Sequence, residues 1–151
     1  MEDNDWLEAL ADLPEFESYG ASNDEDIAHI QNELQLELPS SYVGFLRKYG
    51  CCDWDGNAVY GYYHGEGELR EYYDVVIRTK EAWNDRFPKT FLPVPRNSLV
   101  LMSYGGGGFY MLACGSHPSP GSVFLILTET AHRIDDEWES IGTFIKEEFL
   151  A

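Results

Sequence analysis

The sequence predicts an α+β fold, in which helices pack against one mostly antiparallel sheet within a single domain. Apolar residues in the first half recur at helical spacing, whereas the second half holds short β-rich runs separated by glycine and proline turns. The last predicted element is again a helix. At 151 residues, the chain is long enough to bury its own core without disulfides or metal ions.

The first predicted element is a short helix over residues 5–13, which Pro14 closes. Its apolar stripe consists of Trp6, Leu7, Leu10 and Leu13. We treat residues 1–21 as an acidic N-terminal helix or arm, either packed on the body of the domain or loosely held. Residues 22–151 then form the main domain.

A predicted helical hairpin follows. In its first helix, Ile27, Ile30 and Leu34 fall on one face, because they are spaced by three and then four residues. Ser22 and Glu25 fit a capping box, in which each side chain bonds the backbone N–H of the other residue. The pattern therefore predicts an amphipathic helix that begins just after Ser22.

The predicted hairpin spans residues 27–50. Its second helix begins at a proline and ends at a glycine. Pro39 suits the first helical turn, where its missing N–H has no intrahelical partner. Arg47 and Lys48 favour the negative C-terminal end, and Gly50 can supply a left-handed cap. The predicted apolar face consists of Tyr42, Phe45, Leu46 and Tyr49.

The pattern changes after the hairpin. Residues 51–57 contain an Asp-Gly turn signal, residues 58–63 predict a strand, and residues 64–68 predict a polar glycine loop. Apolar residues in the next stretch have spacing closer to helical than alternating, which predicts a helix over residues 72–85. Residues 90–95 are a proline-marked connection.

The second half predicts an antiparallel meander and a closing helix. The predicted strands are residues 98–103, 109–114, 123–128 and, as a short addition, 131–134. Asp135 or Asp136 is the predicted cap of the closing helix. The buried face of that helix is predicted to hold Trp138, Ile141, Ile145 and Phe149.

The formal net charge of −17 is unevenly distributed. Residues 1–46 hold twelve acids and no Lys or Arg, residues 47–128 hold eight of each sign, and residues 129–151 hold seven acids and two bases, so −12, 0 and −5 sum to −17. Such a field repels nucleic acid and anionic membranes and steers cationic partners toward the chain ends. The alternative is that the acidity only confers solubility.

The glycine run at residues 105–108 does not indicate a phosphate-binding loop. It lacks the Gly-Lys-Ser/Thr that such a loop needs, and a predicted strand follows it instead of a helix. A tight turn, or a close approach of another backbone, accounts better for these glycines.

No residue pattern indicates catalysis, a metal site or a cofactor, and we therefore expect a protein that is not an enzyme. Cys51, Cys52 and Cys114 are odd in number and far from any catalytic context, which favours small buried residues with reduced thiols and a cytoplasmic protein. Asp53 and Asp55 give a DxD pair without the rest of a calcium loop. No transmembrane span or secretory signal is predicted.

One stretch of sixteen residues mixes acids with amphipathic aromatic residues, which is typical of an interaction surface. Its acids would meet Lys and Arg of a basic partner and raise the rate of association. The alternative is that alternate tyrosines face the core and the other residues are ordinary loop residues. The stretch comprises Asp53, Trp54, Asp55, Tyr60, Tyr62, Tyr63, Glu66 and Glu68.

The helical hairpin contains LPxxYxxFLxxYG after an amphipathic helix, and this resembles the motif of the SUKH superfamily. That group is named for fungal Smi and Knr cell-wall regulators and includes many bacterial immunity proteins against secreted polymorphic toxins. Residues 100–112 and the closing helix with Ser140 and Phe144 are also similar to it, so the resemblance covers most of the chain. The matching hairpin residues are Ile27, Ile30, Glu33, Leu34, Leu38, Pro39, Tyr42, Phe45, Leu46 and Gly50.

The resemblance implies an immunity protein that binds and neutralises a cognate toxin domain by steric and electrostatic occlusion. Toxins of such systems are often nucleases, whose surfaces must be basic to hold phosphates. The alternative is a regulatory interaction scaffold without a toxin partner, and a neighbouring toxin gene would favour immunity. The predicted contact residues are Asp53, Trp54, Asp55, Tyr62, Glu66, Glu68 and, from the concave surface that family members present, Tyr104.

Overall fold

A computed structural model describes residues 5–84, 94–105, 107–127 and 133–150. Within these residues, six helices pack with two antiparallel sheets, which confirms the predicted α+β class. The prediction of one sheet was incomplete, because a three-stranded sheet precedes the four-stranded meander. The two sheets meet where the Tyr60 N–H donates to the Leu101 carbonyl at 3.0 Å.

The elements are numbered in chain order. The helices are α1 (Asp5–Leu10), α2 (Asp24–Leu34), α3 (Ser40–Tyr49), α4 (Glu68–Tyr73), α5 (Val75–Trp83) and α6 (Ile141–Phe149). The first sheet comprises β1 (Glu17–Ser18), β2 (Cys52–Trp54) and β3 (Asn57–Val59), in that order. The second comprises β4 (Ser98–Tyr104), β5 (Gly108–Ala113), β6 (Val123–Leu127) and β7 (Arg133–Trp138), also in that order.

The cap of helix α2 is Asn23, one residue later than predicted. The Asn23 side chain accepts a hydrogen bond from the Asp26 backbone N–H at 2.9 Å, and Asp26 accepts from the Asn23 N–H at 3.0 Å. The capping box is therefore formed by Asn23 and Asp26, and the prediction of Ser22 and Glu25 was wrong. Ser22 is buried instead, and Ile27, Ile30 and Leu34 form the predicted buried face.

Helix α3 buries the four aromatic and aliphatic residues predicted for its face. Pro39 lies at the N-cap, just before the predicted first turn. Gly50 has a φ of 74° and a ψ of −63°, so it has a positive φ without being left-handed helical. A Cβ on Gly50 would lie 1.9 Å from the Gly20 carbonyl oxygen, and one on Gly61 would lie 1.8 Å from the Gly50 carbonyl oxygen. Close approach of three backbone segments therefore requires glycine here.

The segment predicted as a turn at residues 51–57 also contains strand β2. Asp55 and Gly56 form the two-residue turn of the β2–β3 hairpin, with φ of 44° and 83°. Two successive positive φ values are the feature of the hairpin turns that match strand twist. Strand β3 covers only the start of the predicted residues 58–63.

The predicted helix at residues 72–85 is two helices in the structure, and residue 85 lies outside the described residues. Asp74 ends α4 and caps α5, because its side chain accepts from the backbone N–H groups of Val76 at 2.8 Å and Ile77 at 3.1 Å. Its extended backbone also makes a parallel bridge with Gly61. The break at Asp74 thus ties α4 to the end of the first sheet.

The predicted meander is confirmed by strands β4 to β6. Strand β7 continues to Trp138, which pairs with Val123, so α6 starts later than predicted. Ser140 caps α6 by accepting from the Thr143 N–H at 3.1 Å, and the prediction of Asp135 or Asp136 was wrong. Residues 90–93, 128, 131 and 132 of the predicted connection and strands lie outside the described part of the chain.

Helix α1 packs on the core, which decides between the two alternatives for it. Trp6 is 1% exposed, and its ring stacks on Phe45 with centroids 6.3 Å apart. All three cysteines are fully buried, as predicted. A Cβ on Gly108 would lie 2.2 Å from the Ile126 carbonyl oxygen, so a close backbone approach does account for that glycine.

Candidate functional site

An open groove of about 730 Å³ lies between residues 15–19, the β2–β3 hairpin and helix α4. We call it the acidic groove, because four carboxylates line it. They face two apolar side chains of α4 across the groove. Its defining residues are Glu15, Glu17, Asp53, Asp55, Leu69 and Tyr72.

Strand pairing positions the acidic wall. In the antiparallel ladder of β1 and β2, Glu17 lies opposite Asp53. Asp55 is at the tip of the β2–β3 hairpin, where the turn leaves its side chain exposed. Like charges directly opposite each other in a sheet repel. A cation bound at this wall would reduce that repulsion.

The hydroxyls of half-buried Tyr19 and buried Tyr73 hold the carboxylate of Asp53. The Tyr19 hydroxyl lies 2.9 Å from Asp53 Oδ2 and 3.1 Å from a Glu17 carboxylate oxygen, and Tyr73 donates to the same Asp53 oxygen. Burial, reinforced by the bonds to Asp53 and Glu17, raises the pKa of Tyr19 to about 12. Burial and the bond to Asp53 raise the pKa of Tyr73 still further. Both phenols therefore remain protonated donors at neutral pH and fix the Asp53 side chain.

The opposite wall is apolar and exposed. Leu69 and Tyr72 are 54% and 41% exposed, and they are the large hydrophobic side chains that the described residues leave exposed. The Tyr72 ring packs edge-on against Tyr73 with centroids 4.8 Å apart, and the Arg78 guanidinium lies 5.1 Å from its centroid. The ring is thus held in place while much of it faces solvent, which is the usual state of an interface anchor before binding.

The structure brings three of the predicted contact residues together. Asp53 and Asp55 line the acidic groove, and Glu68 lines an adjoining depression of about 510 Å³ that shares Tyr72 with it. Glu66 is exposed in the loop before α4 but does not line the groove.

The other three predicted contact residues lie elsewhere. Trp54 is 3% exposed and packs edge-on against Phe149 at 5.2 Å, so its ring belongs to the core. Tyr62 is half-buried beside His64, with ring centroids 5.0 Å apart, and lies outside the groove. Tyr104 is half-buried against Tyr110 at the end of β4 and also lies outside it.

Sequence reasoning missed Glu15, Glu17, Leu69 and Tyr72 as site residues. The two glutamates lie in a stretch interpreted only as a connection. The pairing of Glu17 with Asp53 joins residues 36 positions apart. The acidity of residues 1–46 was the one available signal for this wall. For the other wall, the signal was Leu69 and Tyr72 in the apolar spacing that predicted a helix.

A model of the SMI1 / KNR4 family (SUKH-1) matches residues 21–147. The chain belongs to this SUKH-1 family. No curated protein matches the chain significantly. The SUKH-1 match confirms the resemblance seen in the hairpin motif, and it is consistent with a function of the immunity-protein type. Residues 15–19 precede the matched segment, so one wall of the acidic groove lies outside the SUKH-1 match.

The three thiols of this SUKH-1 chain are buried. Burial raises the pKa of Cys51 and of Cys114 to about 12 in each case, so reactive thiolates are scarce at neutral pH. No group of three or more His, Cys, Asp or Glu in the described ranges is arranged to hold a metal ion. Among the same residues, no helix has the length and apolar character needed to cross a membrane.

Proposed function

We propose that this SUKH-1 protein is an immunity protein that binds one cognate toxin domain and neutralises it in the cytoplasm. The observation that carries the proposal is the acidic groove, with its four carboxylates facing exposed Leu69 and Tyr72. Acids beside an exposed aromatic anchor suit a basic protein surface. Neutralisation is steric and electrostatic, and no bond is made or broken.

The partner we propose is a basic toxin domain, with a nuclease as the first candidate. Nucleases require cationic surfaces to hold phosphates, and the twelve acids of residues 1–46 complement such a surface. The charge also disfavours nucleic acids and anionic membranes as partners of this chain.

The contact face we propose is wider than the acidic groove. A stable protein interface uses about 20–30 residues of each partner, whereas ten residues line the groove. We therefore extend the face from Asp53 and Asp55 across α4 to Glu66 and Glu68. Trp54 is left out because its ring is in the core, and Tyr62 and Tyr104 take part only where the partner reaches past the groove.

Growth rescue tests this function. The gene immediately upstream is truncated to its C-terminal domain and expressed in a host with and without this protein. We expect toxicity that the wild-type protein reverses and that the double variant Asp55→Lys and Glu68→Lys reverses less well. Both residues are exposed. Because Asp55 has a φ of 44°, which lysine adopts less readily than aspartate, circular dichroism checks that the variant folds. The matched comparison is between single charge reversals, Glu68→Lys and Glu37→Lys. Glu37 is exposed in a separate depression that shares no residue with the groove.

The outcomes test the immunity function and the proposed contact face separately. A neighbour without toxicity, or toxicity that this protein does not reverse, contradicts the immunity function, and the regulatory scaffold then becomes the leading proposal. Rescue that is equal for the wild type and the double variant leaves immunity standing and contradicts the proposed contact face.

A further inference from the structure

We propose that the acidic groove docks a segment of the partner protein in which an arginine is followed by an apolar residue. The guanidinium contacts Asp53 and Glu17, and the apolar side chain packs on Leu69 and Tyr72. The inference rests on the proposed function only for the identity of the partner as a toxin, since the groove itself defines the chemistry of the segment.

The charge of the groove selects a cation. None of the residues that line it is Lys, Arg or His. The carboxylates of Glu17 and Asp53 face each other across β1 and β2. The Tyr19 hydroxyl lies within hydrogen-bond distance of both, but it has only one proton to donate and carries no charge, so their repulsion is relieved fully only by a cation. A guanidinium offers five donors in a planar fork and so can bridge two carboxylates, whereas an ammonium is a more strongly hydrated point charge. This favours arginine over lysine.

Asp53 is held ready for such a contact. The hydroxyls of Tyr19 and Tyr73 both bond its Oδ2 atom, which leaves Oδ1 for a partner. A side chain that is already ordered loses little conformational entropy on binding, so its contact with the guanidinium contributes more to affinity. Asp53 is therefore the anchoring residue of the groove.

The apolar wall requires more than a charge from its partner. Leu69 and Tyr72 lie on α4 with about half of each side chain exposed, and covering apolar surface is favourable. Arg78 already lies over the Tyr72 ring at 5.1 Å from its centroid, so a new cation adds less there than an apolar group. A residue such as leucine next to the arginine covers this wall.

A second copy of the same chain does not fit the groove. Two chains that each carry a formal charge of −17 repel at short range, and the groove is lined by four carboxylates and by no Lys, Arg or His. The occupant is therefore a basic partner. Residues 15–19 lie outside the family match, so the match does not define this wall of the groove.

The test uses the full-length ¹⁵N-labelled protein and short peptides in place of a toxin. The probe is acetyl-Ser-Gly-Arg-Leu-Gly-Ser-amide. One control replaces arginine with citrulline, which has nearly the same shape and no charge, and another replaces leucine with alanine. We expect saturable amide shifts confined to residues 15–19, 53–56 and 69–73. The citrulline peptide should bind about tenfold more weakly, because the charge-assisted bonds are lost.

Protein variants test the same contacts from the other side. Asp53→Asn should weaken the arginine peptide about tenfold and leave the citrulline peptide unchanged. Glu17→Gln tests an exposed position where folding is not at risk, and we expect it to weaken the arginine peptide as well. Glu37→Gln, outside the groove, should leave binding unchanged.

The inference is overturned by an absence of saturable shifts in the groove, by equal binding of the arginine and citrulline peptides, or by shifts that spread equally to the surroundings of Glu37. The result is independent of the toxin, because no toxin is present. Peptide docking without growth rescue supports this inference and contradicts the immunity function. Growth rescue without peptide docking supports the immunity function and contradicts this inference.

Discussion

The hydroxyl of Tyr49 donates a hydrogen bond to the backbone carbonyl of Leu7 at 2.6 Å. Tyr49 is the last tyrosine of the hairpin motif in α3, whereas Leu7 belongs to α1, which precedes the segment that the family model matches. Burial raises the pKa of Tyr49, so its hydroxyl remains a donor. This bond, together with the stacking of Trp6 on Phe45, therefore joins the N-terminal helix to the part of the chain that defines the family.

Tyr49→Phe should lower the free energy of unfolding by about 1 kcal/mol, because it removes a buried hydrogen bond to the Leu7 carbonyl. The loss of stability should be concentrated in α1. Urea unfolding measures the free energy of unfolding, and amide hydrogen exchange of residues 5–10 measures the local stability of α1. Unchanged stability together with unchanged protection of α1 would show that the bond contributes nothing.

Gly61→Ala should destabilise the protein by about 1–3 kcal/mol, because the new methyl group is forced into well-packed structure. A Cβ at this position would lie 1.8 Å from the Gly50 carbonyl oxygen, which is backbone and cannot turn aside. The matched control is Gly105→Ala, where a Cβ meets no atom within 4 Å. Thermal unfolding of the two variants should separate them clearly, and equal melting temperatures would contradict the close approach.

The three cysteines should resist labelling in the folded protein. Cys51, Cys52 and Cys114 are fully buried, and burial raises the pKa of each thiol, to about 12 for Cys51 and Cys114. At pH 8 we expect an aromatic disulfide reagent to label them about a hundredfold faster after denaturation than before it. Rapid reaction of even one thiol in the native protein would contradict its burial and indicate a reactive cysteine.

The stabilising effect of Tyr19 should disappear at alkaline pH. Its pKa is raised from 10.0 to about 12 by burial and by the bonds to Asp53 and Glu17. A group whose pKa is raised on folding contributes stability that is complete below the unfolded pKa and is lost as pH rises through the folded pKa. The excess stability of the wild type over Tyr19→Phe should therefore be constant up to pH 10 and shrink as pH approaches 12.

Urea unfolding at several pH values measures that difference. The thiols also titrate in this range, but they are present in both proteins and cancel in the comparison. The raised pKa of Tyr19 would be contradicted if the difference in the free energy of unfolding between wild type and variant stayed constant up to the highest pH at which both fold.

The helical hairpin and the meander could be predicted because their signals are local. The spacing of Ile27, Ile30 and Leu34 needs only the helical repeat, and the glycine and proline turns need only the chain direction to reverse. The boundaries were less accurate, since Asn23 caps α2 in place of Ser22 and Ser140 caps α6 in place of an aspartate. A run of several polar residues offers more than one cap, and tertiary packing selects among them.

The acidic groove could be predicted only in part. Asp53 and Asp55 in the groove, and Glu68 in the adjoining depression, were predicted because acids and aromatic residues are mixed in one stretch. That mixture does not reveal which side chains face inward. Trp54 alternates with its neighbours along β2 and therefore enters the core. Tyr62 and Tyr104 were placed with the others by proximity in sequence or by family analogy, and the fold separates them from the groove.

The sequence by itself determined the α+β class, the amphipathic hairpin that identifies the family, and the acidity of the chain, because each follows from composition or from a period of a few residues. Only the tertiary structure decided that Glu17 lies opposite Asp53 and that Tyr19 and Tyr73 hold its carboxylate. Those contacts join residues that are about 20 to 36 positions apart. Such contacts depend on the packing of the whole chain, and no local pattern specifies them.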